Sequence, residues 1–436
     1  MKNRALNVAV VTNVVPSYRE GFYDRLFSRD DVSRMFEPAV RLHRCGGPAS
    51  YLNARHISER KESHDDGVSM KLLFLSNVPS PYMVDFFNEL GKFTRLTVVF
   101  EKHTSSDRDP SWEEYRFRTF DGIVLRGIST AADTAFCPQV IRYIGRRCYD
   151  HIIVTNPSTP TGVMAIEYMK WTKTPFILES EGGFAKDGKG LKEKFKRHLM
   201  SGARLYFSTT EVDDEYFLMY GATKDRIVRY PFTSLYEQDL LKEPISQEEK
   251  AALKRELGIE TRILILSVGR FVRGKGFDIL LNACKRIDPA IGVCIVGGVP
   301  SLECATTKTE HKLANVHFAG FKSKVELRKY YKASDLFVLP TREDTWGLVI
   351  NEAMACGLPV VTTNRCVAGL ALVREGENGF IVRVGDERAL AEKMQVIAGD
   401  DELRRKMSRR SIDLIQWYTF ENMAKRHIEI LEGVAR

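Results

Sequence analysis

From residue 70 onward the chain alternates short β-branched or apolar runs with longer stretches whose apolar positions recur every three or four residues. That alternation marks repeated strand–helix units around a parallel sheet: strands covered on both faces read as continuous apolar runs, and crossover helices bury a single stripe. The runs predict strands over residues 71–75, 96–100, 151–154, 176–179 and 205–208, with helices over 82–92 and 162–171 among them. After Pro231 the pattern lapses into FTSLYEQDLLKEPISQEEKAALKRELG, a polar, partly helical connection. A second series starts at 263–268 and continues through 292–296, 336–340 and 359–362. The expected fold is α/β, with two doubly wound Rossmann-like domains over 70–245 and 246–415 and a cleft between them. The tail is helical with a break at 418–420, and residues 416–436 are expected to pack back on the N-terminal domain.

One signal occurs twice. TNVVPSYREGFYDRL from Thr12 and SNVPSPYMVDFFNEL from Ser76 align without a gap, sharing Asn13/Asn77, Val14/Val78, Tyr18/Tyr82, Phe22/Phe86 and Leu26/Leu90. Only the second copy is followed by the remaining strands. Residues 29–69 are polar and without sustained periodicity, which reads as poor order. The expectation is that residues 1–69 are a partial duplicate of the domain start, fused ahead of an intact copy that Met70 immediately precedes, and are a non-essential extension. The alternative is an acceptor-binding extension.

A length of 436 residues fits two or three domains of about 150 residues each. With 44% hydrophobic and 28% charged residues, the composition is that of an ordinary soluble protein. No apolar run approaches the ~18 residues of a membrane helix. The start, MKNRALNVAVVTNVV, is interrupted by Asn7 and Asn13 and lacks a small-residue cleavage site, which argues against secretion. Eight dispersed cysteines, with no CxxC and no paired Cys/His spacing, fit a reducing cytoplasm and no structural zinc. The net charge of +8 concentrates in KDGKGLKEKFKRHLMSGAR, which carries Lys186, Lys189, Lys192, Lys194, Lys196 and Arg197. The segment carries a single aromatic, Phe195, and no reading motif, so nucleic acid is not the expected partner. An anionic membrane face, a phosphate-bearing substrate and a solvated helix face remain open.

Two strand-end loops carry the chemistry. ILILSVGRFVRGKGFDILLNAC places Gly269, Arg270, Arg273 and Lys275 between a strand and a helix, where parallel sheets bind ligands. Arg270 and Lys275 would bring two cations to one spot, which suits a diphosphate; the P-loop spacing is absent. DLFVLPTREDTWGLVINEAMACGLPVV sets an acidic loop before a helix that opens near Gly347, with Asp344 and Glu352 eight positions apart. The first amides of that helix, at Gly347, Leu348 and Val349, form an anion site. Carboxylates flanking such a site are repelled by phosphates, so their natural partners are sugar hydroxyls.

These motifs resemble the retaining glycosyltransferases of family 4, which have the two-Rossmann GT-B fold. The resemblance spans about residue 71 to the end and is most specific over 268–382, in VGRFVRGKG, IVGG, DLFVLP, the paired acids, EAMACGLPVV and ENGFIV. It implies that Arg270 and Lys275 grip the donor diphosphate, that the first acid meets the donor sugar and that Glu352 meets the ribose hydroxyls. The family usually has Glu at the first acidic position. Here Asp344 stands there with Glu343 beside it, and either could reach the sugar. In the N-terminal domain SNVPSPYM replaces the family's Gly-Gly turn, and PFILESEGG puts Glu181 where the family carries His. Glu181 is thus a candidate beside the reacting sugar, with a loop-capping Glu as the alternative. Asn156 in VTNPSTP is a second candidate of the same kind.

The resemblance implies a retaining glycosyltransferase that needs no metal or cofactor and moves a sugar from a nucleotide-diphosphate donor to a glycan or lipid-linked acceptor. Envelope polysaccharide or lipopolysaccharide assembly is the expected setting, in the cytoplasm or peripherally on the inner membrane face. A nucleotide-sugar 2-epimerase of the same fold and a catalytically silent nucleotide-sugar binding subunit are the alternatives.

Overall fold

The computed structural model describes residues 55–56, 70–105, 115–145, 148–185, 188 and 190–434. Its strands are β1 (Arg55–His56), β2 (Lys71–Ser76), β3 (Arg95–Phe100), β4 (Asp121–Val124), β5 (Ile128–Ser129), β6 (Ala135–Phe136), β7 (His151–Val154), β8 (Ile177–Glu179), β9 (Leu205–Ser208) and β10 (Ile227–Arg229) in the N-terminal half. The C-terminal half has β11 (Ile263–Val268), β12 (Ile291–Val296), β13 (Val316–Phe318), β14 (Leu336–Leu339), β15 (Val360–Thr363) and β16 (Gly379–Val382). The first sheet runs β1-β4-β3-β2-β7-β8-β9-β10 and the second β13-β12-β11-β14-β15-β16, while β5 and β6 form a separate pair. Within the two large sheets every neighbouring pair is parallel except β1, which lies antiparallel to β4.

The apolar runs become strands because both faces of each sheet are covered. In β2, Leu72 and Phe74 enter one hydrophobic cluster, and Leu73 and Leu75 enter the cluster on the opposite face. In β11, Leu264, Leu266 and Val268 face the first of these clusters, and Ile265 faces a third. The first cluster runs through both halves, from Leu72 and Phe86 through Phe232 to Trp346 and Phe420. The second copy of the repeated signal is the end of β2 and the helix Pro81–Leu90, whose start is fixed by Pro81 in its first turn. The first copy, and the stretch to residue 69 apart from β1, lie outside the described residues.

The connection between halves corrects the polar reading of the sequence. Phe232, Thr233 and Leu235 are buried, and Thr233 Oγ1 donates to the Tyr418 carbonyl at 2.8 Å. The polar character begins only beyond this stretch, near the helix Gln247–Glu256, which Ser246 caps. At the other end, the helix Asp401–Ile415 packs on Leu348–Ala355, the chain turns at 416–419, and Phe420–Gly433 lies against Pro81–Leu90 of the N-terminal half. There the His427 ring sits among Phe86, Phe207 and Tyr230, with Nε2 3.5 Å from Glu179 Oε2 at the end of β8. Among the described residues no helix is long and apolar enough to cross a membrane.

Candidate functional site

In the second sheet β12 and β13 lie to one side of β11, and β15 and β16 lie beyond β14. The chain therefore reverses its direction of winding between β11 and β14, and the loops leaving these two strands open a crevice of the kind that binds ligands in doubly wound sheets. The loops are stapled together. Thr341 Oγ1 and the Arg342 amide donate to the Gly274 carbonyl at 2.8 and 2.7 Å. The Arg342 guanidinium grips Asp278 through both Nη atoms, at 2.8 and 2.5 Å, and also the Arg273 carbonyl at 2.9 Å. Gly276 makes the junction possible: its φ is +70°, and a Cβ there would lie 2.1 Å from the Pro340 carbonyl oxygen.

This stapling brings Lys275 Nζ onto Asp344 Oδ2 as an ion pair. Arg270, at the mouth of the same loop, is exposed, and Gly269 precedes it at the end of β11. Gly347 caps the helix Leu348–Ala355, whose first amides, at Gly347, Leu348 and Val349, lie beyond the reach of intrahelical acceptors. Glu352, further along this helix, accepts from Tyr331 Oη at 2.9 Å and Ser234 Oγ at 3.2 Å. Burial raises its carboxyl above the ordinary range, and the Tyr331 hydrogen bond opposes that rise. Glu343 turns to a different cation, with Oε2 2.6 Å from Arg365 Nη2. The two neighbouring acids are thus held apart, Asp344 by Lys275 and Glu343 by Arg365.

The N-terminal half reaches this crevice through the loop after β8. Tyr82 Oη donates to both oxygens of Glu181, at 3.1 and 3.3 Å. Gly182 follows with φ +126°, and a Cβ there would sit 1.9 Å from the Thr345 carbonyl oxygen of the acidic loop. Behind it, Ser180 Oγ donates to Asp213 Oδ1 at 2.8 Å, and burial lifts the Asp213 carboxyl to about 6. Glu181 and Asp344 therefore belong to loops in mutual contact. Asn156 does not join them. It is buried and donates to Glu101 Oε1, which corrects its candidacy, since its donor is committed to an internal brace. The same brace includes Thr159 Oγ1 and the Ala135 amide, at 2.5 and 2.9 Å, and burial pushes Glu101 up to about 7.

Of the basic segment, Lys192, Lys194 and Arg197 are exposed on the helix Leu191–Met200. Lys196 instead lies over the Tyr216 and Tyr220 rings, 4.5 and 4.2 Å from their centroids. It is a packing cation and does not share the open face. Lys186 and Lys189 lie outside the described residues. Sequence reasoning missed Arg365, Tyr331, Ser234 and Tyr82. Arg365 was within reach of the rule applied to the other loops, since TTNRC follows a predicted strand. Among the described residues there is no group of three or more His, Cys, Asp or Glu side chains able to hold a metal.

The crevice between β11 and β14 thus gathers the Lys275–Asp344 pair, the first amides of the helix Leu348–Ala355 and the Glu352 carboxylate, groups able to meet phosphate and hydroxyl oxygens. Residues 249–413 match the family described as glycosyl transferases group 1, a match confined to the C-terminal half of the chain. Among curated proteins, the chain is 30% identical over 217 residues to a D-inositol 3-phosphate glycosyltransferase of Xylanimonas cellulosilytica, covering 47% of this chain and 50% of that one. It is 31% identical over 176 residues to the lipopolysaccharide core biosynthesis glycosyltransferase LpsE of Rhizobium meliloti, covering 38% and 49%. The chain spans about half the length of these curated relatives. Among solved structures, Anabaena HepE in complex with UDP superimposes with a TM-score of 0.69 at 18% identity, over 84% of this chain and all of that one. The fold is GT-B, with two Rossmann-like domains facing one cleft.

Proposed function

We propose that the chain is a retaining glycosyltransferase that takes a sugar from a nucleotide-diphosphate donor and places it on a glycan or lipid-linked acceptor. The observation that carries this reading is the Lys275–Asp344 ion pair across the crevice between β11 and β14, beside the opening of the helix Leu348–Ala355. Asp344 holds Lys275 across the crevice, and a diphosphate there would compete with that carboxylate for the cation. On donor binding Lys275 turns to the phosphates and Asp344 is released to a sugar hydroxyl. Glu352, already accepting from two hydroxyl groups, is set to accept from ribose hydroxyls.

As the sugar leaves, negative charge grows on the diphosphate. Arg270, Lys275 and the amides of Gly347, Leu348 and Val349 stabilise it from fixed positions, the task a metal ion performs elsewhere. Glu181, oriented by Tyr82, then stands beside the reacting sugar face. The exposed Lys192, Lys194 and Arg197 suit an anionic membrane surface or the phosphates of a lipid-linked acceptor. The similarity to a relative named for lipopolysaccharide core biosynthesis supports envelope glycan assembly.

The test is to incubate the full chain with a panel of nucleotide sugars, each with and without a chelator. The anomeric configuration of any transferred or hydrolysed sugar is read by NMR. Donor-dependent transfer or slow hydrolysis with retention, unaffected by the chelator, is expected. Loss of activity in chelator, restored by magnesium or manganese, contradicts the metal-independent mechanism. Donor isomerisation without acceptor means an epimerase, and donor binding with no turnover means a silent binding subunit.

A further inference from the structure

Resting on the donor reading above, we propose that Arg365 is a positioning residue that latches the Glu181 loop of one half onto the Asp344 loop of the other, and so sets the closed cleft in which transfer occurs.

One guanidinium serves both halves. Arg365 Nη2 lies 2.6 Å from Glu343 Oε2, and the same group sits 4.0 Å from the centroid of the Phe184 ring. Glu343 belongs to the acidic loop after β14, and Phe184 to the loop after β8, three residues beyond Glu181. The Arg365 main chain is tied to the site as well, because its carbonyl accepts the Asp344 amide at 2.9 Å. A displacement of Arg365 is therefore felt at Asp344 through the backbone and at the Glu181 loop through Phe184.

A second contact runs alongside. A Cβ on Gly182 would lie 1.9 Å from the Thr345 carbonyl oxygen and 3.4 Å from Val367 Cγ1. The two loops thus meet along a strip, Gly182 and Phe184 against Thr345 and Arg365. The Lys275–Asp344 pair lies wholly within the C-terminal half and cannot perform this closure. A planar guanidinium can stack on a ring face while its edge donates to a carboxylate, a combination an ammonium group does not offer. The contact is partly exposed, so its loss shifts an open–closed equilibrium by roughly threefold to thirtyfold. A latch of that strength closes the cleft and still releases it for product exchange.

The test uses the full chain carrying Arg365→Ala, Arg365→Lys, Phe184→Leu and the Arg365→Ala/Phe184→Leu pair. Small-angle scattering without nucleotide reports cleft opening, and titration with a nucleoside diphosphate reports the donor half. The expected result is a larger radius of gyration in Arg365→Ala and Phe184→Leu, no further increase in the pair, and incomplete rescue by Arg365→Lys. Diphosphate affinity should stay within about twofold, and kcat should fall about tenfold, the loss expected of a contact that favours the closed state. Gly182→Ala attacks the same strip from the other contact and should open the cleft too, which keeps the test decisive where an Arg365 variant folds poorly. Unchanged scattering in both Phe184→Leu and Gly182→Ala, or additive effects in the pair, overturns the latch. Failure of the wild-type chain to bind any nucleoside diphosphate overturns the donor reading instead, and the scattering result still judges the latch.

Discussion

The carboxylates at the loops that meet in the crevice between β11 and β14 and the carboxylates Glu101, Asp213 and Glu181 of the N-terminal half are held in different ways. In the C-terminal half Asp344, Glu343 and Asp278 are each matched to a cation, Lys275, Arg365 and Arg342. In the N-terminal half Glu101, Asp213 and Glu181 are held by amides and hydroxyls: Asn156, Thr159 and Ala135 around Glu101, Ser180 and Thr209 around Asp213, Tyr82 on Glu181. The cationic crevice suits an anionic leaving group, since its ion pairs can open and exchange partners. The N-terminal braces hold loops in place without adding positive charge, and burial raises Glu101 and Asp213 to about 7 and about 6. The difference teaches that charge pairing marks the loops that meet at this crevice, while Glu352 within it is held, like the N-terminal braces, by hydroxyls.

The contrast breaks most severely if the stapled loops separate. Gly276→Ala places a Cβ against the Pro340 carbonyl in a left-handed conformation and should cost about 3 kcal/mol, from overpacking added to backbone strain. Gly298→Ala has φ +90° with open space around its Cβ, so it isolates the strain. Urea unfolding of the two variants should separate them, and equal losses would mean the Pro340 contact does not matter.

The neutral braces should show themselves in pH. The folded Glu101 carboxyl stands near 7 against an ordinary 4.5, so the folded chain keeps a proton that the unfolded chain releases between these values. Its contribution to stability therefore falls as pH rises from about 4.5 to about 7, then levels off, by at most roughly 3 kcal/mol. Asp213 adds a fall in the same direction between 3.8 and about 6. Glu101→Gln should flatten the upper part of the slope in denaturant titrations at pH 5 and 7.5. A stability that rises across that window would show that Glu101 is ionised in the fold.

Within the crevice, Glu352→Gln should weaken nucleotide binding by about 1.5–2 kcal/mol through loss of charge-assisted hydrogen bonds to the ligand, with the melting temperature maintained. Unchanged affinity by calorimetry would remove Glu352 from the ribose. The smallest effect is expected at Glu343→Gln, under about 1 kcal/mol in stability, because that ion pair is partly exposed. A loss of turnover there larger than in both Asp344→Asn and Arg365→Ala would make Glu343 the acid that meets the sugar, since loss of the latch is already accounted for by Arg365→Ala.

Much of the architecture was legible because continuous apolar runs such as HIIV and ILILSV have few alternatives when both faces are covered. Strands β4, β10, β13 and β16 escaped notice. Each is only three or four residues long, and DGIV and GFIV contain a glycine that lowers the strand signal. In the site, Lys275 and Asp344 stood out because their loops follow obvious strands, and Glu352 because it lies on the helix that the second of these loops opens. Tyr331 and Ser234 could not be read, since they reach Glu352 from 21 and 118 positions away in sequence. Asn156 misled because a polar residue at a strand end looks the same whether it faces a ligand or, as here, an internal carboxylate.

The central claim is that the crevice between β11 and β14 holds a diphosphate. Calorimetric titration of the full chain with a nucleoside diphosphate and the matching monophosphate, for wild type, Lys275→Ala and Arg270→Ala, tests it most directly. The wild type should prefer the diphosphate, and each variant should lose about 2 kcal/mol of diphosphate affinity, roughly thirtyfold, while monophosphate binding changes little. Equal wild-type affinity for the two nucleotides, or a preference that survives both substitutions, would contradict the account.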